Sequence, residues 1–296
     1  PPFITSTLQQ DASRRLGFQA KRTMKVAQEL YEGVEIDGLG AVGLITYMRT
    51  DSLRIADEAL ESAAQYIRQT FGDAYALQKP RTFKTKKNAQ DAHEAIRPTM
   101  IELEPGKVKA NLTSDQYKLY KLIWERFIAT QMANALLDTV SVDIAAGRHL
   151  FKASGFSVKF DGFTALYVES TDSDEESATR LPPLEEGEVL EVAQLAPNQH
   201  FTQPPPRFTE ASLIKELEEN GIGRPSTYAS TLSTILQRGY VEREQKALKP
   251  TALGEVTTKL MKEQFKDIVD LDFTAGMEQR LDEVEDGKIK WEGVLS

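Results

Sequence analysis

The sequence predicts an α+β chain of several domains, and three observations predict it. Apolar residues recur at helical spacing through residues 1–135, alternate in strand fashion over 139–168, and return to helical spacing after Pro204, Pro205 and Pro206. The order helix, glycine turn, helix, strand occurs twice, over 5–49 and again over 209–243. A length of 296 residues leaves room for two or three domains. The expected division is a helical domain at 1–135, a β-rich segment at 136–206 and a second helical domain at 207–296.

The elements follow in order. Ser6 with Gln9 has the form of a capping box, and Leu8, Ala12 and Leu16 mark one face of the helix it opens. A second helix follows Gly17, with Ala20, Met24, Ala27 and Tyr31 on its apolar face, and Gly33 ends it. Residues 33–42 are glycine-rich and read as a loop. Residues 43–49 read as a strand that carries Tyr47. Asp51 or Ser52 then caps a long helix with the stripe Leu53, Ala56, Leu60, Ala63, Ile67 and Phe71. Thr113 with Gln116 opens another, with Tyr120, Ile123, Trp124, Phe127 and Ile128 facing inward. Val140, Val142 and Ile144, then Phe156, Val158 and Phe160, alternate as strands do, and a last strand is expected at Val189–Val192. Beyond the prolines come a helix at 209–220, a turn at Gly221–Gly223, a helix from Pro225 to about Gln237, a strand at Tyr240–Arg243 and a helix at 253–266. Helix, turn, helix and β wing is a winged-helix layout. Both helical domains are therefore expected to be winged-helix-like, as diverged copies of one unit.

Composition narrows the function. Hydrophobic residues at 40% and charged residues at 27% describe a globular chain. With no cysteine there is neither a disulfide framework nor a thiolate zinc site. No apolar run reaches the ~18–20 residues of a membrane span. The first residues lack the regions of a signal peptide, and a start without methionine points to a piece of a longer protein. The net charge of −9 opposes phosphate recognition, but the acidity is uneven. Residues 1–110 carry a net +2, 111–200 a net −7 and 201–296 a net −4. The stretch KPRTFKTKK at 79–87 holds five cations and no acid, which suits either a solvated loop or a phosphate-facing one. Nothing resembles a Walker motif, so ATP use is not expected.

Tyr47 is the strongest candidate for chemistry. A phenol with an ordinary pKa near ~10 is a poor nucleophile at neutral pH, and a cation beside it favours the phenolate. Arg49, two residues on, points to the same face of a strand and forks toward phosphate oxygens. In DAHEAIRP at 91–98, His93 and Arg97 share a face if the run is helical, and Asp91 or Glu94 is placed to pair with the histidine. In GIGRPSTYAS at 221–230, Gly223 lets backbone approach a ligand, and Arg224, Ser226 and Thr227 gather at a helix start, where free N–H groups attract phosphate. Asp172, Asp174 and Glu176 have the spacing of a metal site, yet lie in the polar run ESTDSDEESATR and read as a solvated loop. Asp270 with Asp272 and the acidic run 282–286 read the same way.

The run GLITYMRTDS at 43–52 closely resembles the active-site segment of type IA DNA topoisomerases, of the bacterial topoisomerase I kind. The resemblance extends over PFITSTLQQDASRRLGF (2–18), DAHEAIRPT (91–99), LYKLIWERFIATQM (119–132), PPPRFTEASLIKELEENGIGRPSTYASTLSTILQRGYV (204–241) and FTAGMEQRLDEVEDG (273–287), and is weak over 139–200. It implies that Tyr47 breaks one DNA strand and carries its 5′ phosphate, that Arg49 and His93 assist, and that Asp51, Glu94, Arg97, Gly223, Arg224, Ser226 and Thr227 serve DNA binding. It also implies single-stranded and negatively supercoiled DNA as partner, a monomer, and a cytoplasmic, nucleoid-associated location. The segment at 136–206 corresponds to part of an arch-like, discontinuous domain whose other strands are not in this chain. The family's Mg2+ belongs to a Toprim domain also not in this chain, so no metal or other cofactor is expected here. Two alternatives compete: a non-enzymatic winged-helix DNA-binding protein, and a tyrosine recombinase or type IB-like enzyme. The first leaves the Tyr47 run unexplained; the second places its tyrosine near the chain end.

Overall fold

The computed structural model describes residues 1–84, 93–168, 181–182 and 184–295, and within them the α+β character holds. The N-terminal part contains helices α1 (Thr5–Leu16) and α2 (Ala20–Glu32), strands β1 (Val34–Ile36) and β2 (Gly40–Val42), and helices α3 (Asp57–Thr70), α4 (Pro105–Val108) and α5 (Ser114–Thr130). Leu8, Ala12, Leu30, Leu44, Ile67, Ile96, Ile123 and Phe127 join one core that α5 crosses. Helix α1 stops where Gly17 turns left-handed at φ 65°, a conformation in which a side chain is strained. Helix α5 starts on a reciprocal cap: Gln116 N–H donates to Thr113 Oγ1 at 3.2 Å and Thr113 N–H to Gln116 Oε1 at 3.0 Å.

Four local expectations give way here. The first helix begins at Thr5, one residue before Ser6, and Thr7 Oγ1 accepts the Ile4 N–H at 3.0 Å. Ser6 and Gln9 are buried instead of capping. Residues 33–42 form the antiparallel hairpin β1–β2. Residues 43–49 carry no strand; only Ile45 bridges, to Pro98. Helix α3 starts at Asp57 with Ala56 as its N-cap, so Leu53 lies outside it. The chain over 51–56 is extended because its backbone and side-chain groups find partners in residues 94 and 95: Ala95 N–H donates to Arg54 O at 2.8 Å, and Ala56 N–H to Glu94 Oε2 at 3.3 Å.

Strands β3 (Leu136–Ala146) and β4 (His149–Phe160) form a long antiparallel hairpin, turned at Gly147. It stands as a two-stranded sheet with Leu137, Val140, Phe151 and Val158 exposed. The strand expected at Val189–Val192 is irregular chain. Leu184–Leu190 shares a cavity with Val140–Ala145 without forming a ladder. Asp172, Asp174 and Glu176 lie outside the described residues.

The C-terminal part contains α6 (Glu210–Glu219), α7 (Tyr228–Gln237), strands β5 (Val241–Glu244) and β6 (Ala247–Pro250), α8 (Ala252–Gln264), α9 (Leu271–Glu285) and α10 (Glu292–Leu295). Pro225 precedes its helix by three residues instead of opening it. Asp270 with Asp272 and the acidic run 282–286 are not loop. They lie in α9 or at its ends, and the helix is capped by Asp270 Oδ1, which accepts from Asp272 N–H at 2.7 Å and Phe273 N–H at 3.1 Å. Gly254 of α8 lies so close to the chain before β5 that an added Cβ would stand 2.0 Å from Tyr240 O. Both parts share the succession helix, glycine turn, helix, hairpin. They dock through it, α6 on α1 and α7 on α2, around Ala20, Ile214, Tyr228 and Leu232.

Three buried phenols make this fold alkali-sensitive. Burial is the largest cause raising Tyr120, Tyr167 and Tyr228; next come the charge of Glu102 for Tyr120, the hydrogen bond to Asp11 for Tyr167 and the charge of Glu218 for Tyr228. A phenol whose pKa is raised by folding stabilises the fold fully below its unfolded pKa, and that stability is lost as pH rises toward the folded value. Thermal melts should therefore hold level to about pH 10 and fall above it. Tyr120→Phe should flatten part of that slope.

Candidate active site

Tyr47 is presented by an extended segment held on both sides. On one side Thr46 N–H donates to Arg97 O at 2.9 Å, Arg97 N–H to Thr46 Oγ1 at 3.0 Å, Thr46 Oγ1 to Ala95 O at 2.7 Å and Thr99 N–H to Leu44 O at 3.0 Å. On the other, Thr5 N–H donates to Thr50 O at 2.9 Å, Thr50 N–H to Thr5 Oγ1 at 2.9 Å and Thr5 Oγ1 to Met48 O at 2.7 Å. Met48 and Thr50 are buried while Tyr47 and Arg49 are half-buried. The period-two alternation that makes Tyr47 and Arg49 neighbours on one face thus survives without a continuous ladder. An alanine at Gly43 would put its Cβ 2.6 Å from Tyr31 O, so a glycine lets this segment leave α2 closely.

The Tyr47 ring is flanked by Tyr31 of α2 and by His93, each with ring centroids 5.3 Å away. Arg49 turns to α2 as well, donating from Nη1 to Gln28 Oε1 at 2.9 Å. Gln28 and Tyr31 stand three residues apart, hence on adjacent turns of one helix face.

His93 and Arg97 are brought in by extended chain, not by a helix that would set both on one face. Glu94 does not serve the histidine. Its Oε2 accepts from Arg97 Nε at 2.8 Å, and its Oε1 lies 3.8 Å from Arg54 Nη2. Arg97, with a side chain 12% exposed, also donates to Pro98 O at 3.0 Å and acts as a strut under the Tyr47 segment. Asp91 lies outside the described residues, as do the last three residues of the 79–87 stretch. Of the cations there, Arg81 is an internal anchor, donating to Thr130 O at 3.0 Å and Asn134 Oδ1 at 2.8 Å.

The second motif reaches the same neighbourhood. Burial raises the Tyr228 phenol most and the charge of Glu218 next, Arg224 opposes them, and Asp51 is near enough for its charge to add to the rise. Arg224 is engaged by α9: Nη2 donates to Asp282 Oδ2 at 2.7 Å and Nε to Asp282 Oδ1 at 3.1 Å, a bidentate pair. Asp282 raises the Arg224 guanidinium above its usual value. Gly223 N–H donates to Glu278 Oε1 at 3.1 Å, and Thr227 Oγ1 accepts the Arg224 N–H at 2.8 Å.

Between α2 and α7 opens a cleft of about 710 Å³ that Arg49 also lines. One wall carries Lys21, Lys25 and Gln28 together with Glu29 and Glu32, and the other Ser226, Ser230, Ser233, Thr234 and Gln237. Cations facing hydroxyls and amides suit a sugar–phosphate backbone, whose oxygens accept and whose charge is spread along the strand. Apart from Ser226, these lining residues escaped the reading of the sequence. Their signal was there as polar stripes at helical spacing, Lys21/Lys25/Gln28 and Ser226/Ser230/Ser233, but a polar stripe reads equally well as solvated surface.

The DNA topoisomerase family profile matches residues 1–296. The fold is similar to that of full-length topoisomerase I from Thermotoga maritima, with a TM-score of 0.85 and 41% sequence identity, over 99% of this chain and 47% of that one. This chain therefore spans about half the length of that relative. With a tyrosine–arginine segment backed by histidine and a family match along its whole length, the chain belongs to the bacterial type IA DNA topoisomerases.

Proposed function

We propose that this chain supplies the strand-breaking tyrosine and part of the single-strand groove of an ATP-independent DNA topoisomerase that relaxes negative supercoils. The observation that carries the reading is Tyr47 set between Tyr31 and His93, with Arg49 beside it opening onto the lysine- and hydroxyl-lined cleft. Tyr47 Oη attacks a backbone phosphorus, the phenolic proton departs, and the DNA 3′ oxygen leaves and is protonated. The product is a 5′-phosphotyrosine ester that keeps the bond energy, so the reverse attack reseals the strand without ATP. Arg49 and His93 donate to the phosphoryl oxygens as charge grows there. Asp51, Gly223, Arg224, Ser226 and Thr227 border the path of the strand, and Arg97 and Glu94 hold the tyrosine segment in place. A winged-helix ancestry for both helical parts fits their shared order of elements.

Among the described residues no group of three or more His, Asp or Glu stands together as a metal-ligand set. The family resemblance, not that absence, implies magnesium in a Toprim domain of the longer protein, and the roles above use this chain's side chains alone. No helix among the described residues is long and apolar enough to cross a membrane.

Two experiments test the reading. Single-stranded DNA labelled at one end and then the other should show the 5′ phosphate joined to protein; a 3′ linkage would overturn it. This chain alone at equimolar ratio with plasmid should leave supercoils unrelaxed, and relaxation by it would show that no further part is needed. For the groove, Lys21→Ala with Lys25→Ala should weaken single-strand binding and lower the salt slope by about 1 to 2. Unchanged affinity at every salt concentration would move the strand elsewhere.

A further inference from the structure

Helix α2 carries two of the residues that flank the reactive pair, Tyr31 against Tyr47 and Gln28 on Arg49. Its own N-terminus has no side-chain cap: the N-cap residue, Gln19, makes none. The missing acceptor comes from far along the chain. Glu210, the first residue of α6, turns its Oε2 to the Ala20 N–H at 2.8 Å. The same carboxylate takes Arg243 of β5 on Oε1, and its side chain is 8% exposed. Ala20 is itself buried against Ile214 and Tyr228. A carboxylate at a helix start is favoured by the helix dipole as well as by the hydrogen bond, and burial strengthens both. A 13-residue helix is a rod of about 20 Å, so fixing its first turn fixes the angle at which Gln28 and Tyr31 are delivered.

We propose that Glu210 is a positioning residue for the reaction: a clasp by which the C-terminal helices hold α2, and through α2 the Tyr47–Arg49 pair, in register. The inference deepens the topoisomerase reading and rests on it for its consequence in catalysis. The clasp also gives the two parts a buried polar contact that must be surrendered whenever they separate. Arg243 pairs with Glu210 Oε1, the oxygen that the Ala20 N–H does not use.

The test uses the longer protein that contains this chain. In Glu210→Ala, single-turnover cleavage of a single-stranded oligonucleotide should fall by about tenfold, as small misplacements of a reacting group do, with affinity for that oligonucleotide held within about twofold. Backbone amide exchange should quicken along 20–32 and 43–50 but not along 114–130. Glu210→Gln retains an oxygen for the Ala20 N–H and should recover most of the lost rate. Arg243→Gln should leave cleavage within about twofold of the parent. Normal cleavage in Glu210→Ala, exchange changes confined to 207–213, or an equal loss in Arg243→Gln would each overturn the clasp. If Glu210→Ala does not fold, Glu210→Asp decides: it keeps a carboxylate for Arg243 but draws the oxygen back from the Ala20 N–H, so a clasp makes it slower than Glu210→Gln, and equal rates would overturn it. The topoisomerase reading fails separately, if Tyr47→Phe still cleaves; the exchange result would stand or fall without it.

Discussion

Replacing Tyr47 with phenylalanine in the longer protein should abolish the covalent DNA–protein adduct and lower strand cleavage by roughly 10⁴-fold or more, the scale seen when a nucleophile is deleted. The substitution removes one oxygen and leaves the ring. The packing against Tyr31 and His93, at 5.3 Å each, is kept, so the segment remains where it is. Stability should change by no more than about 1 kcal/mol, and single-strand affinity should be retained, because the lysines and hydroxyls of the cleft are untouched. Gel capture of labelled oligonucleotide under denaturing conditions, paired with a binding isotherm, reads both. Surviving adduct would mean another nucleophile; loss of binding together with cleavage would mean that Tyr47 is a contact residue and not the attacking group.

Arg49→Ala should lower single-turnover cleavage by about 10²- to 10³-fold, the usual loss when one donor to a developing oxyanion is removed. That equals about 3–4 kcal/mol of transition-state stabilisation. Binding should weaken much less, since a charge that strengthens its contacts only as the phosphorane forms acts mainly on the rate. Arg49→Lys should recover only a part, because an ammonium is a point donor whereas the guanidinium can hold Gln28 with one nitrogen and a phosphate oxygen with another. Cleavage by Arg49→Ala within about twofold of the parent would remove Arg49 from the chemistry. An equal loss of binding and rate would make it a groove residue alone.

Much of the fold was legible because the signals were local. Gly17 as a helix stop, the Thr113–Gln116 cap and the stripe along α5 each depend on residues within a few positions. The elements read wrongly are those that distant chain decides. Residues 43–49 look like a strand, yet their hydrogen bonds go to Thr5, Ala95 and Arg97, so no regular ladder forms. Residues 51–56 have a helical stripe, but Glu94 and Ala95 take up their polar groups in extended form. Residues 91–98 have helix-compatible spacing, but as far as they are described they are drawn out alongside Phe3 and Thr46. Helix α9 was hidden by its acidity, of which Asp282 and Glu278 turn out to hold Arg224 and Gly223.

The sequence by itself singled out Tyr47 and Arg49 as candidates, because the run GLITYMRTDS resembles the family's active-site segment and a two-residue spacing puts both on one face wherever the backbone is extended. It also determined the helical cores, through periodicity that each segment carries internally. Only the tertiary structure decided which partners the charged side chains keep: Glu94 with Arg97 instead of His93, Arg224 with Asp282, and Glu210 with the start of α2. The physical reason is that a charge pairs with whatever opposite group burial brings within a few ångströms, and that neighbour is set by packing of remote segments, not by position in the chain.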